Sequence, residues 1–532
     1  MKKLVVWNGE PWAMQYEEVA DFITDMSSTI GSYNDGLDNI QYKCTDRGEK
    51  DPEDPGYFLP VFIDKMNMDG QKVNFKDGRC FKDITFTLKF DNLNGDTFDR
   101  VKLVADVEDA ATWTCYDYFF FATRSNFHVE AYFFSGQHEI VFDGLDEDQK
   151  KDILYNGIDM YLFCDGFTDA FISAFKMVLC FAGGLGPDPN IPIFGSHVPE
   201  YMEKANIDFI QKAMGIKMEV RETQEVVIDE KDIRSGDFFV VMRLDGLDQI
   251  IEYGTGSRSG HSVMALWFED GLHIVESQGA WYWPNKGIQR TAWKDWLQYA
   301  KNCDFHVLHL PLDDENANKF NETAAHEFFN QTAGLPYGYH NFLFSWLDTP
   351  EDNLPPILAP HILPIIFSVL ESVDPTTVDI FFGQALNFRL GTKGLNVKQL
   401  TSEAARQNMT LEEVISIKEV DHWVYEGEQP RDGWSYVCSC YVAGMWKVAG
   451  LFGDLDIQAT EQTPKDVYQY KFYDTKKERP EQCVKADPNL PYCQLLGKYR
   501  IELNGWSTVE PYDNMNENCP SISPDYVRPD GC

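Results

Sequence analysis

The chain has 532 residues, and its 46 Lys and Arg residues stand against 85 Asp and Glu residues, which gives a formal net charge of −39. Such a charge repels phosphates, so it argues against nucleic acid as a partner and against docking on anionic lipid through a basic patch. A hydrophobic content of 43% excludes wholesale disorder, and the length predicts more than one domain. No run of about 18 uncharged apolar residues occurs, so no membrane span is predicted.

The first part of the chain, residues 1–190, is predicted to be a mainly β domain. Apolar residues alternate along short runs that Asn-Gly, Asp-Gly and Ser-Gly turns separate. The runs are Ile84 to Phe90, Val101 to Val107, His128 to Phe134 and His138 to Phe142. Short strands at this spacing favour an antiparallel sheet or sandwich. A helical pattern follows at Asp146 to Tyr155, and residues 191–224 are predicted to form a linker and a helix.

Residues 225–475 are predicted to form a second domain, in which strand-like runs come first and helical patterns follow. The strand-like runs are Val240 to Asp245, Ile250 to Gly254, Ser262 to Phe268, Leu272 to Ser277 and Phe305 to Leu310. The helical patterns are Asn318 to Gln331 and Trp434 to Leu451. A proline-rich apolar insertion near residues 350–370 is predicted to be a loop or lid, because proline at that density breaks a helix.

The cysteines indicate an oxidising compartment. The chain has 12 cysteines, an even number that permits full pairing, and four of them lie near its end. These four are Cys483, Cys493, Cys519 and Cys532. Residues 476–532 are therefore predicted to form a disulfide-stapled tail. Glycosylation sequons at Asn321, Asn330 and Asn408 add to the prediction of a secreted or lysosomal/vacuolar glycoprotein, although no signal peptide is recognised in the numbered chain.

One set of residues offers an imidazole, a carboxylate and a thiol in chain order: His261, Glu276 and Cys438. Thiol catalysis needs a thiolate, and both a nearby imidazolium and a helix N-terminus lower the pKa of a thiol. Cys438 precedes the apolar run Tyr441 to Trp446, so it is predicted to begin a buried helix. His261 is predicted to begin a strand, where a polar residue on the neighbouring strand would hold its ring in place.

Two residues on that neighbouring strand are candidates for the orienting role, Glu276 and Gln278. Residues of equal parity share a face of a hairpin, so both lie on the side of the histidine. A tight turn that pairs Glu269 with Leu272 places Gln278 opposite Val263, closer to the histidine than Glu276. Strand twist or a bulge would be needed to bring Glu276 in, so both residues stay open at this point.

The order of these segments resembles the permuted branch of the papain-like NlpC/P60 superfamily, to which the YiiX-like amidases and the lecithin:retinol acyltransferase group belong. The matching segments are Ser235-Gly236-Asp237, Gly260-His261, Val275-Glu276, Leu335-Pro336-Tyr337-Gly338-Tyr339 and Cys438-Ser439. The resemblance implies an α+β fold class: a permuted papain-like domain of antiparallel sheet and helices, preceded by the mainly β domain and followed by the Cys-rich tail. The long separation between Glu276 and Cys438 departs from the family pattern.

By matching position, the resemblance implies a thiol hydrolase that cleaves an amide or peptide bond through a thioester. Cys438 would be the nucleophile, His261 the base and Glu276 the orienting residue, with Gln278 as the alternative. Tyr337 is a candidate hydroxyl donor to the oxyanion. The implied partner is a peptide, amide or acyl substrate. No cofactor is expected, and no metal site is predicted because no CxxC or HxxxH motif occurs.

Three alternatives accompany this hypothesis. A binding or structural protein would keep the scaffold without turnover, and a disulfide at Cys438 would indicate it. A lipid acyltransferase would use residues 354–370 to line an acyl groove, and a hydrophobic tunnel to His261 would indicate it. Cys440 is a rival nucleophile, because only one of two cysteines at this spacing on a helix faces the histidine. The sequence makes no prediction of oligomeric state.

Overall fold

The computed structural model describes residues 61–76, 81–95, 97–110, 117–123, 127–132, 135–163, 197–279, 287–338, 371, 375–415, 417 and 435–511. These residues form antiparallel sheets and helices, which confirms the α+β class. The chain divides into two compact units. Unit 1 comprises Met1–Val178 and Pro355–Ile417, and unit 2 comprises Leu179–Leu354 and Lys418–Cys532.

The described strands and helices are numbered in chain order. The strands are β1 (Val61–Met66), β2 (Lys72–Phe75), β3 (Phe81–Asp91), β4 (Arg100–Ala110), β5 (Asp117–Ala122), β6 (Phe127–Tyr132), β7 (Gly136–Phe142), β8 (Ile158–Phe163), β9 (Glu219–Val220), β10 (Phe238–Met242), β11 (His261–Phe268), β12 (Gly271–Gln278), β13 (Gly287–Ala292), β14 (His306–Leu310), β15 (Cys493–Leu496) and β16 (Tyr499–Arg500). The helices are α1 (Glu147–Asn156), α2 (Glu200–Met214), α3 (Leu247–Thr255), α4 (Trp293–Asn302), α5 (Asp314–Lys319), α6 (Glu322–Thr332), α7 (Pro375–Val378), α8 (Gln384–Arg389), α9 (Val397–Arg406), α10 (Leu411–Ile415), α11 (Cys438–Val448), α12 (Pro464–Gln469) and α13 (Glu481–Ala486). A π-turn at Asp379–Gly383 joins α7 to α8.

Unit 1 contains two four-stranded antiparallel sheets, with strand orders β1-β8-β5-β6 and β2-β3-β4-β7. One buried cluster takes residues from both sheets. In it the rings of Phe86 on β3 and Phe119 on β5 meet edge to face, with centroids 5.2 Å apart. The two sheets therefore pack face to face, and their alternating apolar residues form the core of a sandwich. The strands predicted around Ile84, Val101, His128 and His138 are all present.

Helices from the second part of the chain also belong to unit 1. Helix α9 packs on α1, and the backbone N–H of Leu411 donates to Asn156 at 3.4 Å. The Asn396 side chain caps α9 by accepting from the N–H of Gln399 at 2.9 Å. The predicted second domain, residues 225–475, was continuous, whereas unit 2 excludes residues 355–417.

Unit 2 is built on a six-stranded antiparallel sheet with the order β13-β12-β11-β10-β14-β15. Both of its faces are covered. Phe239 on β10 packs against Trp293 of α4 with centroids 5.3 Å apart, whereas Phe238 packs against Trp446 of α11 at 5.8 Å. Because neighbouring strand residues point to opposite faces, α4 and α11 lie on opposite sides of the sheet. This arrangement explains why β10, and β11 from Val263 onward, are continuous apolar runs rather than alternating ones.

The predicted disulfide-stapled tail needs correction, because part of it completes the central sheet. Strand β15 pairs with β14 through Leu308–Gln494 and His309–Cys493. The Cys483–Cys493 disulfide joins helix α13 to this edge strand. The turn signals and proline of this region indicated irregular structure, so the four-residue strand β15, whose side chains are all buried, was not predicted. Cys519 and Cys532 lie outside the described residues.

Two predicted elements differ in type or extent. The run Ile250 to Gly254 is helical, within α3, because Asp245 accepts from the N–H of Leu247 and of Asp248, each at 3.1 Å, and so caps the first turn. A run of this length does not separate a strand from a buried helix by periodicity alone. The predicted helix Asn318 to Gln331 is broken between α5 and α6, where Asn321 begins a new helix as its N-cap.

No helix in the described ranges is long and apolar enough to cross a membrane. The proline-rich insertion near residues 350–370 and the linker predicted from residue 191 to residue 196 lie outside those ranges. The rest of the predicted linker-and-helix segment contains helix α2, which ends at Gly215 in a left-handed conformation with φ of 67°.

Candidate active site

The site lies where strands β11 and β12 separate. Their ladder runs from Phe268–Gly271 to Met264–Val275, and both strands continue beyond that last pair. The segment that leads into α11 attaches at this opening: Ser277 donates through its hydroxyl to the carbonyl of Tyr436 at 2.6 Å. The backbone N–H of Ser262 on β11 hydrogen-bonds the sulfur of Cys438. The opening therefore receives the N-terminus of α11.

Cys438 is the first residue of helix α11. Every residue from Cys438 to Trp446 is buried, as expected for a helix that is hydrophobic on all sides. The preceding residue, Val437, is extended and supplies no side-chain cap to the first turn. The N–H of Cys438 instead donates to the hydroxyl of Tyr337, 3.5 Å away. The positive end of the helix dipole therefore lies at the thiol, where it favours a thiolate.

His261 bridges a carboxylate and the thiol. Its Nε2 lies 2.9 Å from Oε2 of Glu276, and both side chains are only 2% exposed. The same imidazole hydrogen-bonds the Cys438 thiol. Because Nε2 is held by Glu276, Nδ1 is the ring nitrogen left to face the sulfur. The three side chains therefore form a Glu–His–Cys relay within unit 2.

The pKa values of the histidine and the cysteine move in opposite directions. Burial alone raises the pKa of the Cys438 thiol, but the charge of His261 and hydrogen bonds from His261, Tyr337 and Ser262 outweigh it and hold the pKa below the ordinary 9.0. Burial alone lowers the pKa of His261, whereas the charges and hydrogen bonds of Cys438 and Glu276 raise it to about 10. Each residue stabilises the charged form of the other, so the pair favours a thiolate and an imidazolium.

The structure brings together Cys438, His261, Glu276 and Tyr337, and Glu276 rather than Gln278 holds the imidazole. The predicted register of the hairpin is wrong by two residues, because β11 and β12 pair Phe268 with Gly271. The observed turn, Glu269-Asp270, has the predicted length of two residues but begins one residue earlier than the predicted turn Asp270-Gly271. Glu276 thereby reaches the histidine without a bulge, and no hydrogen bond joins Gln278 to it.

Cys440 points away from the imidazole. Its thiol lies 3.1 Å from the carbonyl of Thr460 and 3.4 Å from that of Gln462, so it donates into the backbone of the turn Ala459–Glu461. In the described ranges Cys303, Cys438 and Cys440 are not in disulfide bonds. Of the two cysteines in the nucleophile segment, only Cys438 therefore faces His261.

Two supporting features were in the sequence, but their roles were not recognised there. Asp237 is fully buried, accepts from His309 at 2.9 Å and from the N–H of Leu312 at 2.9 Å, and so ties the start of β10 to β14. Gly260 precedes the histidine because a Cβ at that position would lie 2.1 Å from Cγ of Asp248. Both residues belong to short sequence motifs, but the residues that they contact are distant in sequence. The motifs therefore indicated the positions without their roles.

No family model, curated protein or solved structure matches the chain. In the described part of the chain no group of His, Cys, Asp and Glu side chains is arranged to hold a metal ion. The roles of Cys438, His261, Glu276 and Tyr337 therefore rest on their own geometry and chemistry.

Proposed function

We propose that this protein is a cysteine-dependent hydrolase that cleaves an amide or peptide bond through a thioester intermediate. The observation that carries the proposal is the position of His261 between Glu276 and the thiol of Cys438. A nucleophile hydrogen-bonded to a base, and a base oriented by a third group, is the arrangement that thiol catalysis requires.

Acylation begins from the thiolate–imidazolium pair. The thiolate of Cys438 attacks the substrate carbonyl carbon, a C–S bond forms, and the carbonyl π electrons move to oxygen. The N–H of Cys438 and the hydroxyl of Tyr337 lie at the nucleophile and are the available donors to that oxyanion. The imidazolium of His261 then gives its Nδ1 proton to the amide nitrogen, the C–N bond breaks, and the amine leaves.

Deacylation uses the same groups in reverse. Water attacks the thioester carbonyl while neutral His261 takes its proton. The C–S bond breaks, Cys438 leaves as a thiolate, and the acid product departs. Throughout the cycle, Glu276 holds Nε2 of the ring and stabilises the imidazolium each time it forms.

The proposed fold of unit 2 is a permuted papain-like domain of the NlpC/P60 type. Its support is the order and position of the reactive groups: His261 begins a strand of an antiparallel sheet, and Cys438 begins a buried helix later in the chain. A secreted or lysosomal setting is part of the proposal, and the Cys483–Cys493 disulfide supports it. The free state of Cys438 favours an enzyme over a silent scaffold with a disulfide at that position.

The proposal is tested by alkylation of the thiol with iodoacetamide at pH 6 and by hydrolysis of peptidyl aminocoumarin amides. We expect rapid labelling at Cys438, because an ordinary thiol of pKa 9.0 is almost fully protonated at that pH. Cys438→Ala abolishes both the labelling and the hydrolysis. Cys440→Ala, the matched control two residues away, retains both. Hydrolysis that persists in Cys438→Ala would refute the proposed nucleophile.

A further inference from the structure

Gln278 is a buried polar side chain at the edge of the proposed active site. It is the last residue of β12, its side chain is 2% exposed, and it pairs across the sheet with Gly287 on β13. Within the described part of the chain its carbonyl oxygen Oε1 has no hydrogen-bond partner. A buried acceptor without a donor is uncommon in folded proteins, since most such groups are satisfied.

Gln278 lies on the same strand as Glu276, two residues further along the chain. Side chains two residues apart on a strand lie on the same face, about 7 Å apart, so Gln278 follows Glu276 on the side that holds His261. Glu276 already occupies Nε2 of the imidazole, and the thiol of Cys438 is its other partner. The carboxamide of Gln278 therefore lies on the face of the sheet that holds the histidine, and it is not needed to orient the ring.

We propose that Gln278 is a specificity-determining residue whose Oε1 accepts a hydrogen bond from an N–H of the substrate. The inference rests on the proposed thiol hydrolase and names its substrate class: amides, including peptides, in preference to esters. An amide with an N–H supplies the missing donor, whereas the corresponding ester has only acceptors and leaves Oε1 buried and unpaired. Sites built to hydrogen-bond a substrate N–H discriminate strongly against analogues that lack it.

Another fully buried oxygen near the histidine, the hydroxyl of Ser262, also has no hydrogen-bond partner among the residues that the structure describes. Ser262 follows His261 directly, so its side chain alternates to the opposite face of β11. Its hydroxyl carries both a donor and an acceptor and would accept amides and esters alike. The carbonyl oxygen of Gln278 can only accept a hydrogen bond. We therefore assign the preference for amides over esters to Gln278 rather than to Ser262.

The test compares two alkylating agents, iodoacetamide and methyl iodoacetate, which differ in that only the amide carries N–H donors. With either reagent the Cys438 thiolate attacks the CH₂ carbon, the C–S bond forms, the C–I bond breaks, and iodide leaves. The measured quantity is the ratio of the two rate constants at Cys438, divided by the same ratio for glutathione. We expect this normalised ratio to exceed one in the wild-type chain and to fall about tenfold in Gln278→Leu.

Gln494→Leu is the control, because Gln494 is a buried carboxamide on β15 of the same sheet whose Oε1 already accepts from the N–H of Ile501 at 3.0 Å. Its normalised ratio should stay at the wild-type value. Gln278→Met repeats the measurement with a second apolar side chain, and thermal unfolding verifies that each variant is folded. An unchanged ratio in both Gln278 variants, or an equal fall in Gln494→Leu, overturns the inference. Failure of Cys438 to react with either reagent contradicts the proposed nucleophile itself.

Discussion

At the scale of single residues, His261 determines the chemistry of the site. Burial would leave an isolated imidazole neutral, but this ring has Glu276 on one side and Cys438 on the other, and their charges raise its pKa to about 10. The imidazolium therefore persists across neutral pH and keeps the thiol ionised. The reactive pair is expected from below neutral pH up to the pKa of the histidine, a wider range than an ordinary His–Cys pair would have.

Glu276→Gln tests this account at the residue scale. The amide keeps a hydrogen-bond acceptor for Nε2 but removes the negative charge, so the pKa of His261 falls and the thiolate loses its counterion. Each unit of change in the thiol pKa lowers the thiolate fraction about tenfold. We expect alkylation by iodoacetamide at pH 6 to slow about tenfold and its pH profile to shift upward.

Asp270→Asn provides the control for Glu276→Gln, because Asp270 is an exposed carboxylate in the turn of the same hairpin. Its pH profile should match the wild type. A wild-type profile in Glu276→Gln would show that the charge of Glu276 does not sustain the ion pair.

At the scale of elements, the site forms where the neighbouring strands β11 and β12 separate. Elsewhere in the same sheet a second histidine, His306, links strands through hydrogen bonds. Nε2 of His306 on β14 accepts from the N–H of Tyr499 on β16 at 3.1 Å, and its Nδ1 lies 3.3 Å from the carbonyl of Met242 on β10. Burial lowers the pKa of His306 to about 4. A proton on Nε2 would remove the acceptor that links the two sheets of unit 2.

His306 therefore predicts a loss of stability in acid. Its folded pKa of about 4 lies below the ordinary 6.5 of the unfolded chain, so the stabilisation is present above pH 6.5 and is lost as the pH falls toward 4. The full effect is about 3 kcal/mol in the free energy of unfolding. Urea unfolding at pH 7 and pH 4.5 measures it in the wild-type chain and in His306→Gln.

The glutamine cannot titrate, so His306→Gln should lose less stability between the two pH values than the wild type does. Carboxylates titrate in both proteins, and their contribution cancels in the comparison. Equal losses in the two proteins would mean that His306 does not supply the acid sensitivity.

At the scale of the whole molecule, the two units explain the long separation between Glu276 and Cys438. Residues 355–417 lie between them in sequence and belong to unit 1, whereas all four site residues belong to unit 2. Helix α9 in this segment packs on α1, and its Leu400 is buried. The described helices of this segment therefore belong to unit 1, although the segment interrupts unit 2 in sequence.

Leu400→Ala should destabilise unit 1 alone, by about 2–5 kcal/mol, because it leaves a cavity where a fully buried side chain was packed. Hydrogen exchange read by mass spectrometry should show lower protection in β3 and β4 and unchanged protection in β11 and β12. Phe388→Ala removes a partly exposed side chain of the same segment and should have a smaller effect. Equal loss of protection in β11 and β12 would contradict the division into units.

Local patterns predicted a large part of this structure. Alternation of apolar residues identified β3, β4 and β7, because the two-residue period of a strand is present in the sequence itself. The apolar run after Cys438 indicated the buried helix that it begins. Ile250 to Gly254 was predicted as a strand and is helical, since such a short run carries no period and Asp245 decides its type through backbone contacts.

By itself, the sequence determined the class of the fold and the three reactive residue types, because periodicity and chemical identity are local properties. Only the tertiary structure decided between Glu276 and Gln278, between Cys438 and Cys440, and whether Cys493 belongs to a tail or to the central sheet. Each of these choices depends on strand register or helix phase, and a shift of one or two residues leaves the local pattern almost unchanged while it moves a side chain to another partner.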